Sequence, residues 1–410
     1  MSAAPSTRLD VHLERGGIVE FVGTAHITVR RQQTSTAFAY GDQYLRTRDA
    51  MSISPDLPLS SGSAITEGLP GAFSDSAPDR WGQNLIRKRI RAANSDAGGA
   101  TTFVSDVDFL LGVSDTTRQG SLRFALAGQT EFLDASLEVP KLIQLPKLLN
   151  AADLVARGAS LDDMAAVKAL LDAGSGSLGG ARPKASVVDD GQLLIAKFPH
   201  HHDEWDVMAW EKTALDLAEL CGFPTPSRRL VDVAGRQVLL LGRFDRDDDS
   251  RVPYISAMTL VRGRDGQEHD YLDVAEALAD HGSNVAADLE QLWRRIAFSI
   301  VINNIDDHLR NHGFLHRRSG WTLSPIFDIN PHPNPSTVRA TTVNFRQSAD
   351  PNDEKMNLLS VASHFGLRPD AAAAAYERIA EVVRTRWRPT ARANRVPETE
   401  LGRFAEVLDR

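Results

Sequence analysis

A change in sequence pattern along the chain restricts the folds open to it. Up to about Phe132, strand-like alternation, as in residues 25–30, is mixed with a helix start whose Pro78 lies near the first turn. From about Leu272 onward, Ala- and Leu-rich helical segments dominate, and one polar stretch, residues 301–335, interrupts them. A strand-containing first part and a mostly helical second part predict an α+β fold with two lobes.

The bulk composition excludes several classes of protein. The chain has 410 residues, of which 42% are hydrophobic and 24% are charged, as in ordinary soluble proteins. A formal net charge of −8 gives no argument for nucleic-acid binding. The single cysteine, Cys221, rules out an intramolecular disulfide and fits a reducing cytoplasm. Because the N-terminus does not resemble a signal peptide and no apolar run approaches the roughly 20 residues of a membrane span, we expect a soluble, cytoplasmic protein without membrane contact.

The polar stretch holds three aspartates and four histidines directly after an apolar run. Asp306 and Asn311 have the spacing of a kinase catalytic loop, in which the aspartate accepts a hydroxyl proton and the asparagine holds magnesium. The pair alone also fits a plain hydrogen-bonded turn, since both residue types are common in turns. We interpret the neighbouring Asp307 as a solvated loop acid or as a residue that orients its neighbours.

Asp328 closes the same stretch. Residues 325–327 before it are apolar apart from their proline, and they predict a strand that ends in this aspartate. Such a strand places a carboxylate oxygen where a hard cation can bind it.

A second charged pair lies upstream. Lys197 belongs to a predicted strand, residues 191–199, and shares one face with Leu193 and Ile195. Glu211 follows on a predicted helix, about 206–220, within a largely apolar stripe. A strand lysine and a glutamate on the next helix form the ion pair that positions nucleotide phosphates in kinases. Alternatively, Lys197 extends its ammonium into solvent and Glu211 lies at the edge of its helix face.

Residues 176–184, with the sequence GSLGGARPK, form a glycine-rich loop before this strand. Glycine backbone amides can approach phosphate oxygens closely, and Arg182 and Lys184 add positive charge. The loop matches neither the Walker A motif nor G-x-G-x-x-G, so a flexible linker is the alternative. The order of these features along the chain is typical of a kinase-type phosphotransferase: a glycine loop, a strand lysine, a helix glutamate, a further strand, D-x-x-x-x-N and a final aspartate.

These stretches resemble the HipA family, the serine/threonine kinase toxins of bacterial HipBA toxin–antitoxin modules. The resemblance lies in SLGGARPKA, LLIAKFP, WEKTALDLAELCG, LLLGRFDR, NNIDDHLRNHGFL and LSPIFDINP, and in the front half in SDSAPDRWG and FLLGVSDTTRQGSLRF. It covers nearly the whole chain. It implies a two-lobed, kinase-like fold with a mixed α/β N-terminal lobe and a mostly helical C-terminal lobe.

The resemblance also implies a division into three segments. Residues 1–140 would be the HipA N-terminal subdomain. Residues 141–250 would be the nucleotide-binding part of the N-terminal lobe, with the glycine loop, the lysine strand and the hinge, for which the strand end at residues 240–244 would meet the adenine. Residues 251–410 would form the helical C-terminal lobe with the catalytic and metal loops.

The family's functional roles carry over by motif, with ATP and Mg²⁺ as cofactors. Asp306 would be the catalytic base, and Asn311 and Asp328 would hold the magnesium. Ser177 would be the site of an autophosphorylation that displaces the glycine loop and silences the enzyme. The implied nucleotide-binding residues are Ser177, Leu178, Gly179, Gly180, Ala181, Lys184, Lys197, Glu211, Arg243 and Phe244.

The family implies a protein substrate, which in some members is an aminoacyl-tRNA synthetase. It also implies a DNA-binding, HipB-like antitoxin, with DNA contacted only through the antitoxin complex. A basic cluster near the C-terminus predicts either a solvent-facing helix end or phosphate contacts: Arg384, Arg386, Arg388, Arg392 and Arg395.

Three other functions remain open from the sequence. The first is a nucleotide-binding pseudokinase that acts as a co-repressor, and the second is a small-molecule phosphotransferase. The third is a metal-dependent hydrolase that uses histidines of the polar stretch together with Asp306 and Asp307. The adjacent residues His200, His201 and His202 predict a solvated loop more readily than a metal site, since neighbouring side chains on extended backbone point to opposite faces.

Overall fold

The computed structural model describes residues 6–96, 103–133, 139–158, 163–175, 182–247, 250–317 and 320–410. The chain divides into two compact units. Unit 1 consists of Met1–His202 and Asp232–Ile255, and unit 2 consists of Asp203–Val231 and Ser256–Arg410. This division differs from the three segments expected from the sequence, because Asp203–Val231 groups with the C-terminal part. The three-segment division stays a prediction.

Strands and helices alternate in the first half of the chain, and helices dominate the second half. The strands are β1 (Ser6–Arg15), β2 (Ile18–Arg30), β3 (Gln33–Tyr40), β4 (Ser63–Glu67), β5 (Leu122–Leu126), β6 (Lys184–Asp189), β7 (Gln192–Lys197), β8 (Arg228–Val233), β9 (Arg236–Gly242), β10 (Arg246–Asp247), β11 (Ser250–Arg251), β12 (Tyr254–Ser256), β13 (Gly313–Arg317) and β14 (Gly320–Leu323). The helices are α1 (Asp42–Leu45), α2 (Gly71–Asp75), α3 (Arg80–Asp96), α4 (Asp106–Leu111), α5 (Leu145–Arg157), α6 (Asp163–Asp172), α7 (Val207–Leu220), α8 (Ala257–Leu260), α9 (Tyr271–His281), α10 (Val285–Val301), α11 (Pro351–Ser360), α12 (Pro369–Ala393) and α13 (Glu398–Leu408). Short 3₁₀ turns span Leu142–Gln144, Leu309–Asn311 and Ala362–Phe365.

The first sheet belongs to unit 1 and has the strand order β4-β3-β2-β1-β5. Its neighbouring strands are antiparallel. In β1, Leu9, Val11 and Leu13 are buried, because alternate side chains of a strand point to the same face of the sheet. The strand predicted at residues 25–30 is confirmed as the second half of β2.

The helix predicted after Pro78 is confirmed as α3. It begins at Arg80, and the Asp79 side chain accepts a hydrogen bond of 2.9 Å from the Gly82 amide. An aspartate at this position satisfies one of the amides that have no partner within the first helical turn.

The second sheet has the strand order β6-β7-β9-β8. The strand predicted around Lys197 is confirmed as β7. The further strand, predicted as a buried strand from the sequence RQVLLLGRFDR, is confirmed as β9. Leu194 and Ala196 of β7 are buried, whereas Leu193 and Ile195 are only partly buried. By alternation Lys197 shares the face of Leu193 and Ile195, but it is itself only 7% exposed, so the alternative in which its ammonium extends into solvent is wrong.

The core of unit 2 is helical. Two long helices each bury a stripe of large side chains at spacings of three to four residues, the period of a helix face. On α10 these are Leu292, Trp293, Ile296 and Ile300, and on α12 they are Tyr376, Ile379, Val383 and Trp387. Fully burying a large apolar side chain contributes about 1.5–3 kcal/mol, so these stripes hold the unit together. The helix predicted at 206–220 is confirmed as α7, with Asp206 as its N-cap.

The strand predicted at residues 325–327 is wrong. Strand β14 ends at Leu323, and the Ile326 amide donates to the Pro224 carbonyl at 2.9 Å instead of joining a sheet. Pro325 has no N–H to donate, so the chain continues to Asp328 as a loop. The antiparallel hairpin of β13 and β14, which precedes this loop, was not predicted from the sequence.

The α+β class predicted from the sequence is confirmed, with a strand-containing N-terminal unit and a mostly helical C-terminal unit. In the described part of the chain, no helix combines the length and the apolar character that a membrane crossing requires.

Candidate active site

The two adjacent aspartates after α10 have opposite surroundings. Asp306 is exposed, whereas Asp307 is 3% exposed. The Asn311 side-chain amide donates to the Asp306 carbonyl at 2.9 Å, and the His308 backbone amide donates to the same carbonyl at 3.1 Å. The hydrogen-bonded turn considered from the sequence is therefore present. Because the Asn311 nitrogen makes this bond, its side-chain oxygen is the atom that could bind a cation.

Asp328 lies on a loop with an unusual backbone. Its φ is +53°, in the left-handed region, which aspartate and asparagine adopt more readily than most residues. The loop is tied to the catalytic loop, because the Asn303 side chain donates to the His332 carbonyl at 2.6 Å. The His332 amide in turn donates to the Asn303 carbonyl at 3.0 Å. The segments that carry Asp306 and Asp328 are thus held together by backbone and side-chain bonds.

The donor set fits a hard divalent cation. Asn311 offers an amide oxygen and Asp328 a carboxylate, and magnesium prefers oxygen ligands of these two kinds. Both residues lie in unit 2, on loops that the bonds between Asn303 and His332 hold together. The assignment of Asn311 and Asp328 to a metal stays a prediction that these ligand types support.

Asp307 is the centre of a buried polar cluster. Its Oδ2 accepts hydrogen bonds of 2.6 Å from both the Tyr271 hydroxyl and the Ser299 hydroxyl. Its Oδ1 lies 3.0 Å from His312 Nε2, and His312 is itself only 5% exposed. Of the two interpretations of Asp307 made from the sequence, the solvated loop acid is therefore wrong.

The protonation states in this cluster follow from its contacts. Burial opposes ionisation of Asp307, but His312 and the hydroxyl donors outweigh it and hold the pKa of Asp307 well below its ordinary value. Burial, together with the nearby Asp307 carboxylate, raises the pKa of Tyr271 well above its ordinary value. Asp307 is consequently ionised and Tyr271 protonated near neutral pH, the states in which the tyrosine donates to the carboxylate.

Arg339 supports the same loop from a second side. Its guanidinium donates to the Ser299 carbonyl at 3.1 Å and also to the Asn304 carbonyl. It is paired with Glu354, whose Oε1 lies 3.0 Å from Nε. Burial alone would lower the pKa of Arg339, but Glu354 raises it. This arginine therefore remains charged while it binds two carbonyls at the start of the catalytic loop.

The lysines predicted to bind phosphate lie in unit 1. Lys184 and Lys197 are directly opposite each other on β6 and β7, an arrangement that is unfavourable for like charges unless they are paired elsewhere. Lys184, which is 2% exposed, makes an ion pair of 2.9 Å with Asp79, beside the first turn of α3. An ammonium has three donors, so the ion pair with Asp79 does not exclude a phosphate contact. The phosphate-binding roles of Lys184 and Lys197 stay predictions.

The predicted hinge follows β9. The Arg243 guanidinium is almost completely buried, where it pairs with Asp245 and donates to the Thr117 carbonyl at 3.0 Å. The Phe244 ring is partly exposed, with its centroid 6.2 Å from that of Tyr254. Because these contacts occupy the Arg243 side chain, the backbone is the part of Arg243 that could meet a nucleotide. The hinge role of both residues stays a prediction.

Glu211 is fully buried on α7 in unit 2, so the alternative position at the edge of the helix face is wrong. The N-terminal end of α7 is held by Glu400 of α13. That carboxylate accepts from the Trp210 indole at 2.8 Å and from the Asp206 amide at 3.1 Å. The role of Glu211 as a partner of Lys197 stays a prediction.

Five of the predicted nucleotide-binding residues fall outside the described part of the chain. They are Ser177, Leu178, Gly179, Gly180 and Ala181. Their roles, including autophosphorylation at Ser177, stay predictions.

The histidines of the polar stretch do not converge. His312 contacts Asp307, whereas the rings of His316 and His332 lie edge-on to Trp321 and Trp205, respectively. Among the residues that the structure describes, no group of three or more His, Cys, Asp or Glu side chains is arranged to hold a metal ion. The hydrolase alternative therefore has no ligand set in this part of the chain.

Three arginines of the basic cluster, all of them on α12, pair with carboxylates. Arg388 pairs with Asp409 at 2.6 Å, and Arg392 pairs with Glu398 at 2.6 Å. Arg384 also pairs with a glutamate one turn earlier on the helix. These exposed pairs support the interpretation as a solvent-facing helix end over a surface for DNA phosphates.

The sequence analysis missed four residues that hold the catalytic loop: Tyr271, Ser299, His312 and Arg339. Tyr271 lies 36 positions before Asp307 along the chain, and hydrogen bonds over such separations leave no periodic signal. His312 was noted only as a possible metal ligand. The sequence did hold one signal for His312, because this residue directly follows Asn311. A loop that fixes the predicted metal ligand Asn311 also restrains the next residue.

Three known proteins are similar to this chain to different extents. A curated putative kinase of Haemophilus influenzae is 27% identical over 168 residues, which cover 36% of this chain and 48% of that protein. The chain thus spans about half the length of this curated relative. In the solved complex of Shewanella oneidensis MR-1 HipA, HipB and operator DNA, a chain matches with a TM-score of 0.66 and 16% identity, covering 97% of this chain and 94% of that one. The Helicobacter pylori proinflammatory kinase CtkA matches with a TM-score of 0.41 and 14% identity, over 57% of this chain and 90% of that one.

Two family models match the sequence itself. The HipA N-terminal domain matches residues 19–100, and the HipA-like C-terminal domain matches residues 176–387. The resemblance stated from the motifs is confirmed, and the Shewanella structure shows that the fold is shared. Because the C-terminal domain alone spans more than half of the chain and the N-terminal domain precedes it, this protein belongs to the HipA family.

Proposed function

We propose that this protein is an ATP- and magnesium-dependent serine/threonine-protein kinase that acts as the toxin of a toxin–antitoxin module. One observation carries the proposal. An exposed Asp306 stands in a tightly held loop that also contains Asn311, and hydrogen bonds tie this loop to the segment of Asp328. Membership of the HipA family supports the same function.

In this mechanism, Asp306 accepts the proton of a serine or threonine hydroxyl while the hydroxyl oxygen attacks the γ-phosphorus of ATP. The bond from the γ-phosphorus to the β–γ bridging oxygen breaks, and ADP leaves with its electron pair. The exposure of Asp306 suits this role, because an incoming protein can reach the carboxylate. Asn311 and Asp328 would hold magnesium, which when bound neutralises charge on the phosphate oxygens. Lys197 would contact the phosphates.

The proposal includes the partners and the control of the enzyme. The substrate is a protein, and an aminoacyl-tRNA synthetase is the class to test first. Autophosphorylation at Ser177 would inactivate the kinase, since a phosphate there adds charge to the loop that receives the nucleotide. A HipB-like antitoxin would bind the protein, as in the Shewanella complex with HipB and operator DNA. The paired arginines of α12 support DNA contact only through that antitoxin.

Mass spectrometry of the purified protein after incubation with ATP and Mg²⁺ tests the proposal. Asp306→Asn is the test variant, and Asp280→Asn is the matched control, because Asp280 is an exposed aspartate of the same unit. Phosphate on Ser177 in the parent and the control, but not in Asp306→Asn, supports a serine kinase with Asp306 as its base.

Two other outcomes would contradict the proposal in different ways. ATP binding without phosphate in any protein would favour the pseudokinase co-repressor or the small-molecule phosphotransferase. Absence of ATP binding in the parent would refute the kinase and return attention to the hydrolase.

A further inference from the structure

One buried carboxylate of unit 2 has no part in the proposed transfer. Asp307 is 3% exposed and therefore cannot serve an incoming hydroxyl. It is nevertheless bound by three side chains, at 2.6 Å to Tyr271, 2.6 Å to Ser299 and 3.0 Å to His312. A carboxylate offers about four acceptor positions, so this arrangement uses most of its capacity.

The partners of Asp307 come from both sides of the catalytic loop. Ser299 belongs to the last turns of α10, before the loop, and His312 directly follows the 3₁₀ turn that ends the loop. Tyr271 joins from the first turn of α9. The carboxylate therefore connects the beginning of the loop to its end, and the segment between them contains both Asp306 and Asn311.

The exposure of Asp306 and the burial of Asp307 result from one backbone conformation. The Ile305 carbonyl is fixed by the Ala340 amide at 2.8 Å, and the Asp306 carbonyl by the Asn311 side chain at 2.9 Å. If Asp307 lost its partners, the backbone that presents Asp306 would lose its internal anchor. Asn311 would be affected as well, because it depends on the position of the Asp306 carbonyl.

We propose that Asp307 is the positioning residue of the catalytic loop: through Tyr271, Ser299 and His312 its carboxylate closes the loop and sets the direction of Asp306 and Asn311. It acts without touching a substrate, and in this role it rests on the proposed function. A displacement of about 1 Å at a reacting group can lower the rate roughly 100-fold. We therefore expect an effect on kcat more than on the KM for ATP.

Asp307→Asn in the whole 410-residue chain is the first test, and Asp288→Asn is its matched control. Like Asp307, Asp288 is a buried carboxylate. It lies on the first turn of α10, accepts a hydrogen bond of 2.7 Å from Thr322 and stands apart from the loop. We expect Asp307→Asn to lower kcat about 100-fold with a KM for ATP within about threefold of the parent. Amide hydrogen exchange in residues 303–313 should become faster in Asp307→Asn and remain unchanged in Asp288→Asn.

A second pair of variants decides the matter if Asp307→Asn fails to fold. His312 contacts Asp307 through Nε2, and a glutamine places its own side-chain N–H at a similar distance from the backbone. His312→Gln should therefore keep the kcat of the parent and its slow amide exchange in the loop. His312→Leu should have a lower kcat and faster exchange. Equal behaviour of the Gln and Leu variants would overturn the proposal. So would a folded Asp307→Asn variant with the kcat and loop exchange of Asp288→Asn.

The exchange measurement separates this inference from the function on which it rests. It needs no turnover, so it reports on the loop even in a parent that transfers no phosphate. An inactive parent would refute the kinase, while faster exchange confined to residues 303–313 would still establish the loop closure by Asp307.

Discussion

Asp245 provides a quantitative test of how unit 1 is stabilised. Its carboxylate is 2% exposed and accepts hydrogen bonds of 2.6 Å from Arg243, 2.9 Å from Arg246 and 2.7 Å from the Gly120 amide. Burial opposes its ionisation, but the two guanidinium groups hold the pKa of Asp245 well below its ordinary value. The contacts join the end of β9 to the turn before β5, two regions that are over 100 positions apart in the sequence.

The substitution Asp245→Ala removes the acceptor and leaves two buried guanidinium groups without their carboxylate. Removing one partner from a buried ion pair typically lowers the free energy of unfolding by about 3–5 kcal/mol. Domains of ordinary size have unfolding free energies of about 5–15 kcal/mol, so this single change should remove a large part of the stability. Asp245→Asn keeps an acceptor oxygen and should lose less, about 1.5–3 kcal/mol for the charge-assisted bonds.

Denaturant unfolding at neutral pH measures the effect, and Asp153→Ala is the control. Asp153 also pairs with an arginine of unit 1, Arg236, but the two side chains are 19% and 32% exposed. A pair with such access to water contributes about 0–1 kcal/mol. If Asp245→Ala and Asp153→Ala lowered the free energy of unfolding equally, the reasoning from burial would be refuted.

The lowered pKa of Asp245 also predicts how the free energy of unfolding depends on pH. Its folded-state pKa lies below the unfolded value of about 3.9, so its contribution is fully present above that pH. The contribution is lost as the pH falls below about 4 towards the folded-state pKa. The difference between parent and Asp245→Asn should therefore shrink between pH 4 and pH 2, and a constant difference would contradict the assignment.

Three further predictions concern other parts of the chain. Gln32 has a φ of +68° in the two-residue turn between β2 and β3, where glycine is preferred. Gln32→Gly should therefore raise the free energy of unfolding by about 0.5–1 kcal/mol in chemical denaturation. A decrease would contradict the idea that this backbone conformation is strained. Asp328→Asn should abolish phosphoryl transfer with an unchanged melting temperature, because asparagine tolerates the φ of +53°; retained transfer would exclude Asp328 as a metal ligand. Glu400→Ala removes the acceptor of the Trp210 indole and the Asp206 amide. It should lower the free energy of unfolding by about 1–3 kcal/mol, measured by tryptophan fluorescence in denaturant. A neutral effect would show that α13 does not stabilise α7 through this carboxylate.

Much of the fold could be predicted because its signals are local. The alternation in β2, the helical period of α7 and the aspartate that caps it are each contained within one element. The strand predicted before Asp328 failed for an equally local reason, since Pro325 cannot donate to a ladder and the Ile326 amide bonds to Pro224. The β13–β14 hairpin was missed because its strands are short and lie inside a stretch dominated by polar residues.

The candidate site divides in the same way. Asp306 and Asn311 could be named from their D-x-x-x-x-N spacing, and Asp328 from its place after an apolar segment. Their roles come from the resemblance to the HipA family and stay predictions. The buried cluster in unit 1 could not, since Asp245 meets Gly120 only after the chain has folded. Charged side chains such as Arg243 looked available for a nucleotide in the sequence, but burial and pairing give the guanidinium a structural role.

The contrast between Asp306 and Asp307 shows where reasoning from sequence ends. The two residues are identical in type and adjacent, so composition, spacing and motif treat them almost alike. Only burial separates them: one is open to solvent, and the other is enclosed by Tyr271, Ser299 and His312. A carboxylate that must meet a substrate has to remain accessible, and a carboxylate that must fix a loop has to be enclosed. The kinase proposed here would need both, and neighbouring positions let one backbone conformation satisfy the two requirements together.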